Sequence, residues 1–204
     1  MWTVPRDAID ESLGDSKLPT VLALSGSLRR DSHNRRLLNA ARAYAEDVLS
    51  ISIYDDLSAV PVFNEDLEAD GGPSGVRSLG AAVARADALL IATPEYNQGI
   101  PGVVKNVIDW LSRGEPDLLA GKPVAILGAT VGPWGTRLAQ TGLRQALTAC
   151  GALVMPTPQI YLRNAADAFD IDGNLIDEHT RASLTNFLTS FRRWIAMTSE
   201  SHAQ

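Results

Sequence analysis

The chain has 204 residues, 45% of them hydrophobic, enough for one domain with a full core. Its net charge is −6, and its lysines and arginines are scattered, which argues against a nucleic-acid partner. A single cysteine, Cys150, leaves no internal disulfide framework, and no apolar run approaches the length of a membrane span. The first residues include Arg6, Asp7, Asp10 and Glu11 and no signal-type apolar core, so a soluble, cytoplasmic protein is expected.

Residues 1–19 are polar and broken by Pro5, Gly14 and Pro19; they read as an N-terminal extension. One domain is expected over residues 20–197, with residues 198–204 as a tail. Residues 20–24 are a continuous apolar strand, which must be covered on both faces. A polar loop follows, then Leu37, Leu38, Ala41, Tyr44, Ala45 and Val48 mark one face of a helix. Residues 50–54 alternate as a second strand. Residues 55–73 read as a loop, with Leu57, Val60, Pro61 and Phe63 tucked onto the surface. A helix is expected over residues 75–86. A third strand, residues 88–92, stops at Thr93-Pro94. A polar turn leads to a helix with Pro101 at its first turn and Val103, Val104, Val107, Ile108 and Leu111 as its apolar stripe.

Residues 122–128 form the fourth strand and residues 137–149 the next helix, with Cys150 beside Leu147 as a small buried side chain. Residues 152–155 begin a fifth strand. Asp170 to Asn174 read as a turn, since the glycine comes too early for a calcium loop. Residues 180–196 carry Leu184, Phe187, Leu188, Phe191 and Ile195 as the face of a last helix. Strands alternating with helices give a doubly wound parallel sheet.

In such a sheet the ligand lies beyond the carboxyl ends of the strands, so three loops matter. In the first, Ser27 and Ser32 offer hydroxyls, Asn34 an amide and Arg29 a cation. Backbone N–H groups and the helix dipole add to an anion site. Taken alone, Ser32 or Asn34 reads equally well as a helix cap. The second loop carries Pro94, Glu95, Tyr96, Asn97 and Gln98. The third carries Thr130, Gly132, Trp134 and Gly135. Neither a Walker-type phosphate loop nor a Gly-x-Gly-x-x-Gly turn occurs. His33, His179 and His202 lack ligand spacing, so no metal site is expected. No Ser-His-Asp or Cys-His arrangement is visible.

The run Thr93-Pro94-Glu95-Tyr96-Asn97, with Pro101-Gly102, Lys105-Asn106, Ile108-Asp109-Trp110 and Ser112-Arg113, resembles the signature of the NADPH-dependent FMN reductase family. These are flavodoxin-like flavoproteins that include quinone, azo-dye and chromate reductases. Val104 stands where that family often has leucine. Gly26-Ser27-Leu28-Arg29, with Ser32 and Asn34, resembles the family's FMN-phosphate loop. Residues 61–67 and 168–177 are also similar. Arg137, Gln140, Leu143 and Arg144 keep the family pattern after the third loop, while Trp134 interrupts a loop that is normally richer in glycine.

The resemblance implies a flavodoxin-like five-stranded parallel sheet of order 2-1-3-4-5 that binds FMN. Ser27, Arg29, Ser32 and Asn34 would hold the phosphate. Pro94, Glu95, Tyr96, Asn97 and Gln98 would meet the pyrimidine edge and ring face. Thr130, Gly132 and Gly135 would lie near flavin N1 and O2. NADPH or NADH would be the co-substrate, with a flavin, quinone, azo compound or metal oxyanion as acceptor. The flavin would carry the chemistry, with no catalytic side chain. Glu95 also reads as a structural cap or a pair across subunits. A homodimer or dimer of dimers is implied, with Trp110 and Trp134 as interface aromatics; the alternative is that Trp110 packs under its own chain. The competing functional class is a flavodoxin-type electron carrier without efficient nicotinamide turnover.

Overall fold

In the computed structural model, which describes residues 18–200, the elements follow the expected alternation. They are β1 (Thr20–Ser25), α1 (His33–Tyr44), β2 (Ser50–Tyr54), α2 (Glu65–Ala69), α3 (Ser74–Arg85), β3 (Ala88–Ala92) and α4 (Gly102–Leu111). Then come β4 (Pro123–Ala129), α5 (Arg137–Ala149), β5 (Leu153–Val154), β6 (Ile160–Leu162) and α6 (Glu178–Glu200). All strand pairs are parallel, in the order β2-β1-β3-β4-β5, with β6 also on β4. Among the described residues no helix is long and apolar enough to cross a membrane.

Period-two alternation along the strands divides the core into two layers. Val21, Ala23, Leu90, Ala125 and Leu127 face α1 and α6, where they meet Leu37, Leu38, Phe187 and Phe191. Leu22, Leu24, Leu89, Ile91, Val124 and Ile126 face the other way, onto α3, α4 and α5. β1, β3 and β4 are thus apolar on both sides, the condition for a parallel sheet between two helical layers, while edge strand β2 alternates with exposed Ser50 and Ser52.

The fifth sheet position differs from a simple strand. β5 pairs with Pro123 and Val124, and β6 pairs with Leu127, Gly128 and Ala129, on the same side of β4. Pro156 and Pro158 lie between them and have no N–H to donate, so the ladder cannot run through. Residues 55–73 are also more ordered than a loop. They hold a 3₁₀ turn at Leu57–Ala59 and the short α2. Asn64 caps α2 by accepting the Asp66 N–H at 2.9 Å, and Glu65, Asp66 and Glu68 complement the helix dipole. Five residues are too few to show helical periodicity.

This segment decides the fate of Trp110. Its indole is fully buried, donates Nε1–H to the Pro61 carbonyl at 2.8 Å and meets Phe63 edge-on at 4.9 Å. Asn106 brackets the same loop, accepting the Phe63 N–H and donating to the Pro61 carbonyl. Buried Glu68 pairs with Arg113 at 3.1 Å. The interface role expected for Trp110 is therefore replaced by packing within its own chain.

Asp170 accepts the Asn174 N–H in a turn flanked by the Phe169–Leu175 bridge, as the sequence suggests. α6 continues through residues 198–200. Residues 1–17 of the expected extension and 201–204 of the expected tail lie outside the described residues.

Candidate functional site

The loops after β1, β3 and β4 converge at the carboxyl edge of the sheet, and two glycines allow it. A Cβ on Gly26 would lie 2.5 Å from Val104 and 3.0 Å from both the Ala92 carbonyl and Pro94. The Gly26 N–H donates to that same Ala92 carbonyl at 2.7 Å. A Cβ on Gly128 would lie 2.1 Å from the Thr136 hydroxyl and 2.4 Å from the Thr93 carbonyl. Both contacts are far inside van der Waals range, so any larger residue would push the loops apart.

The first loop is rich in uncommitted donors. Among the described residues, the backbone N–H groups of Ser27, Leu28, Arg30, Asp31 and Ser32 have no hydrogen-bond acceptor. Among the described residues neither Arg29 nor Arg30 is ion-paired; Arg35 is, with Asp55. These residues border a cavity of about 320 Å³ that reaches Tyr54 and Ser58. Positive charge is also felt by His33, which stacks on Phe169 and buries an unpartnered Nδ1. Burial lowers its pKa from the ordinary value, and the nearby Arg36 and Arg29 lower it further. Backbone donors, an arginine pair and a helix N-terminus make a donor set that fits a phosphate monoester.

Within this loop two side chains are already engaged. Ser32 is the α1 N-cap, its hydroxyl accepting the Arg35 N–H at 3.3 Å. Asn34 is 3% exposed and bonds Ala129 twice, donating to its carbonyl and accepting its N–H, both at 2.9 Å. Its amide thus ties α1 to the end of β4. Ser27 accepts weakly from Arg29 N–H at 3.4 Å and keeps its hydroxyl available.

The second loop is a two-residue hairpin. Tyr96 and Gly99 form an antiparallel bridge, and Asn97 and Gln98 between them have φ of 50° and 62°. Asparagine tolerates that left-handed region, as this type of tight turn requires. Tyr96 is 50% exposed. Glu95 turns away from the hairpin: its Oε2 accepts the N–H groups of Leu138 and Ala139 at 2.8 and 2.9 Å, in the first turn of α5. This is the capping arrangement, with a negative charge at the helix's positive end. Pro94 accepts from the buried Thr93 hydroxyl.

The third loop is held at its start, where Thr130 bonds Leu162 and Ala165 through its backbone and the Gly132 N–H through its hydroxyl. Among the described residues, the N–H groups of Trp134, Gly135 and Thr136 have no acceptor. Trp134 is 79% exposed. Buried Gln140 knits α5 to the interrupted edge, donating to Thr136 and to the Ile160 carbonyl, and Arg144 donates to the Met155 carbonyl. Arg30 and His33 belong to the same stretch, and the signal for them is their position beside Arg29 and Ser32 in the sequence.

A parallel sheet of this order, with three loops and a phosphate-type donor nest at its carboxyl edge, defines a flavodoxin-like nucleotide-binding protein. The model of the NADPH-dependent FMN reductase family matches residues 19–167, and the chain belongs to that family. It is 41% identical over 175 residues to an NAD(P)H-dependent FMN reductase of Pseudomonas aeruginosa, covering 86% of this chain and 94% of the relative. It is 35% identical over 179 residues to the quinone reductase of Escherichia coli, again covering 86% and 94%. Among solved structures, the flavoenzyme NAD(P)H:(acceptor) oxidoreductase of Paracoccus denitrificans superposes with a TM-score of 0.82 at 36% identity. That match covers 88% of this chain and 98% of the other.

Proposed function

We propose that this chain is an FMN-dependent NAD(P)H oxidoreductase that passes electrons to small acceptors, quinones foremost. The observation that carries the reading is the nest of unpaired donors after β1, set beside two loops that glycines bring into contact. Bound FMN would supply the chemistry of hydride and electron transfer between nicotinamide and acceptor. The protein's part is to bind, orient and exclude water.

In this reading Ser27, Arg29, Arg30 and the first-loop N–H groups hold the phosphate, with Ser32 contributing through its backbone. Asn34 acts as a strut behind them. Tyr96, Asn97 and Gln98 border the ring with Pro94, while Glu95 fixes the hairpin by capping α5. The N–H groups of Trp134, Gly135 and Thr136, supported by Thr130 and Gly132, would supply donors to stabilise the negative charge that a flavin gathers on reduction. No side-chain acid or base is assigned. The working compartment in this reading is the cytoplasm, where nicotinamide nucleotides are supplied. The chain acts as a homodimer or dimer of dimers, with exposed Tyr96, Val131, Trp134 and Leu138 as its contact surface.

A second reading, a flavodoxin-type electron carrier, draws on the exposed aromatics Tyr96 and Trp134, which could shield a flavin face. Anaerobic mixing of the FMN-loaded protein with NADPH separates the two: rapid bleaching of the flavin absorbance is expected of the oxidoreductase. Slow or absent bleaching favours the carrier. Arg29→Ala should cost about 1.5–3 kcal/mol of FMN affinity, as for one charge-assisted hydrogen bond. It should leave riboflavin binding unchanged. Equal tightness for FMN and riboflavin in the wild type would remove the phosphate site from the proposal.

A further inference from the structure

The first turn of α1 holds a titratable side chain that no part of the proposed chemistry uses. His33 is the first residue of the helix, directly after the N-cap Ser32, whose N–H belongs to the donor nest. Its ring stacks on buried Phe169, with centroids 6.2 Å apart and planes at 25°. Among the described residues its buried Nδ1 has no hydrogen-bond partner. No local bond therefore fixes the protonation of that nitrogen, and the charges around the ring decide it.

Those charges come from three directions. Arg36 on α1 and Arg29 on the first loop both oppose a proton on the ring, adding to the effect of burial. Arg35, on the same turn of α1, is committed to Asp55. Arg30 and Asp31, exposed on the loop, are of opposite sign. The turn after Phe169 brings Asp170, whose carboxylate is taken by the Asn174 N–H and amide at 2.8 and 2.9 Å, and Asp172, which is exposed. Arg36 lies against that turn, 3.7 Å from where a Gly173 side chain would begin. The ring is thus held between two cations, and one of them, Arg29, is a residue assigned above to the phosphate. A phosphate monoester carries a charge of about −1.5 to −2 at pH 7. Seated on Arg29, it cancels that cation and brings net negative charge to the start of α1, which favours a protonated imidazole. We propose that His33 is a proton-linked latch behind the phosphate loop: it takes up a proton when the FMN phosphate seats, and so tightens the hold on the cofactor in mildly acidic solution. The inference rests on the FMN reading given above.

Binding then takes up a proton between the His33 midpoints of the free and the loaded protein, and this contribution to affinity grows as pH falls through that interval. The second ionisation of the phosphate itself, near about pH 6, acts in the opposite sense, so the test follows the histidine as well as the affinity. The chain has three histidines, His33, His179 and His202, whose ring protons can be titrated by NMR. The His33 signals are those lost in His33→Gln; if that variant does not fold, His179→Gln and His202→Gln assign them by elimination. On loading with FMN, the proton affinity of His33 should rise about three- to tenfold, as expected for a nearby opposite charge. Saturating riboflavin, which lacks the phosphate, should leave it unchanged. Arg29→Ala should raise the His33 midpoint of the apoprotein. Calorimetry near about pH 6.5, in buffers of different ionisation enthalpy, should show more proton uptake on FMN binding in the wild type than in His33→Gln. An equal His33 midpoint with and without FMN, or the same rise with riboflavin, would overturn the latch. An apoprotein that fails to bind FMN would remove the cofactor reading, and this inference with it. FMN binding with the His33 titration unmoved would remove the latch alone.

Discussion

Glu95 sits in the family signature beside the ring-binding hairpin, yet its carboxylate is aimed at a helix. Its Oε2 accepts two N–H groups of α5, from Leu138 at 2.8 Å and Ala139 at 2.9 Å. Removing the side chain by Glu95→Ala strips both donors of a partner and takes a negative charge from the helix N-terminus. A helix cap contributes about 0.5–2 kcal/mol, and its charge adds about 0.3–1 kcal/mol. The site is half-exposed, so water can replace part of the loss, and we expect Glu95→Ala to cost about 1–2.5 kcal/mol of stability. Glu95→Gln keeps a carbonyl acceptor and loses only the charge, so about 0.3–1 kcal/mol is expected. Urea unfolding of the apoprotein measures both. The order Ala worse than Gln, with FMN affinity following the loss of stability, supports the clamp. Unchanged apoprotein stability in Glu95→Ala, together with weakened FMN binding, would refute it and return the carboxylate to the flavin.

Three further outcomes follow from the same geometry. Asn34→Ala leaves the buried Ala129 N–H and carbonyl without partners and should cost about 2–4 kcal/mol in urea unfolding; intact stability with lost FMN affinity would instead make the amide a phosphate ligand. Trp110→Phe loses the bond to Pro61 and part of the ring volume, so about 1–3 kcal/mol of stability should go. Its association state by sedimentation should not change, and dissociation would restore Trp110 to an interface. His33 is held below its ordinary pKa of 6.5 by burial, then by Arg36 and Arg29, so the unfolded chain takes up the proton first. Native stability should therefore fall as pH drops below that value and level off beneath the depressed native one. His33→Gln should flatten this acid slope in urea midpoints, and an unchanged slope would place the effect elsewhere.

The parts that were legible in the sequence are those written in local pattern. The continuous apolar runs at β1, β3 and β4 announce strands covered on both faces, and the stripe Val104, Val107, Ile108 and Leu111 announces α4. The turn residues Thr93-Pro94 and Ser25-Gly26 mark where the chain leaves the sheet, so the ligand edge could be located without coordinates. What stayed hidden depends on partners far along the chain. Asn34 and Ala129 are 95 residues apart, so the bonds that join them cannot be read from the residues around either. Trp110 was misread for the same reason: the loop that buries it lies 49 residues upstream. α2 escaped because one turn has no period, and β6 because prolines separate it from the strand it continues.

The break between β5 and β6 has a consequence for how this protein meets others of its kind. An edge strand offers a row of unpaired N–H and C=O groups on which another chain can polymerise. Here that row is cut into ladders of two and three residues, with Pro156 and Pro158 between them. A foreign strand arriving on this side would lose its register within one or two bonds. The outer margin of the sheet is therefore closed to open-ended growth, and a second copy approaching from this direction has to dock on helix and loop surfaces, where contact is finite and can be specific.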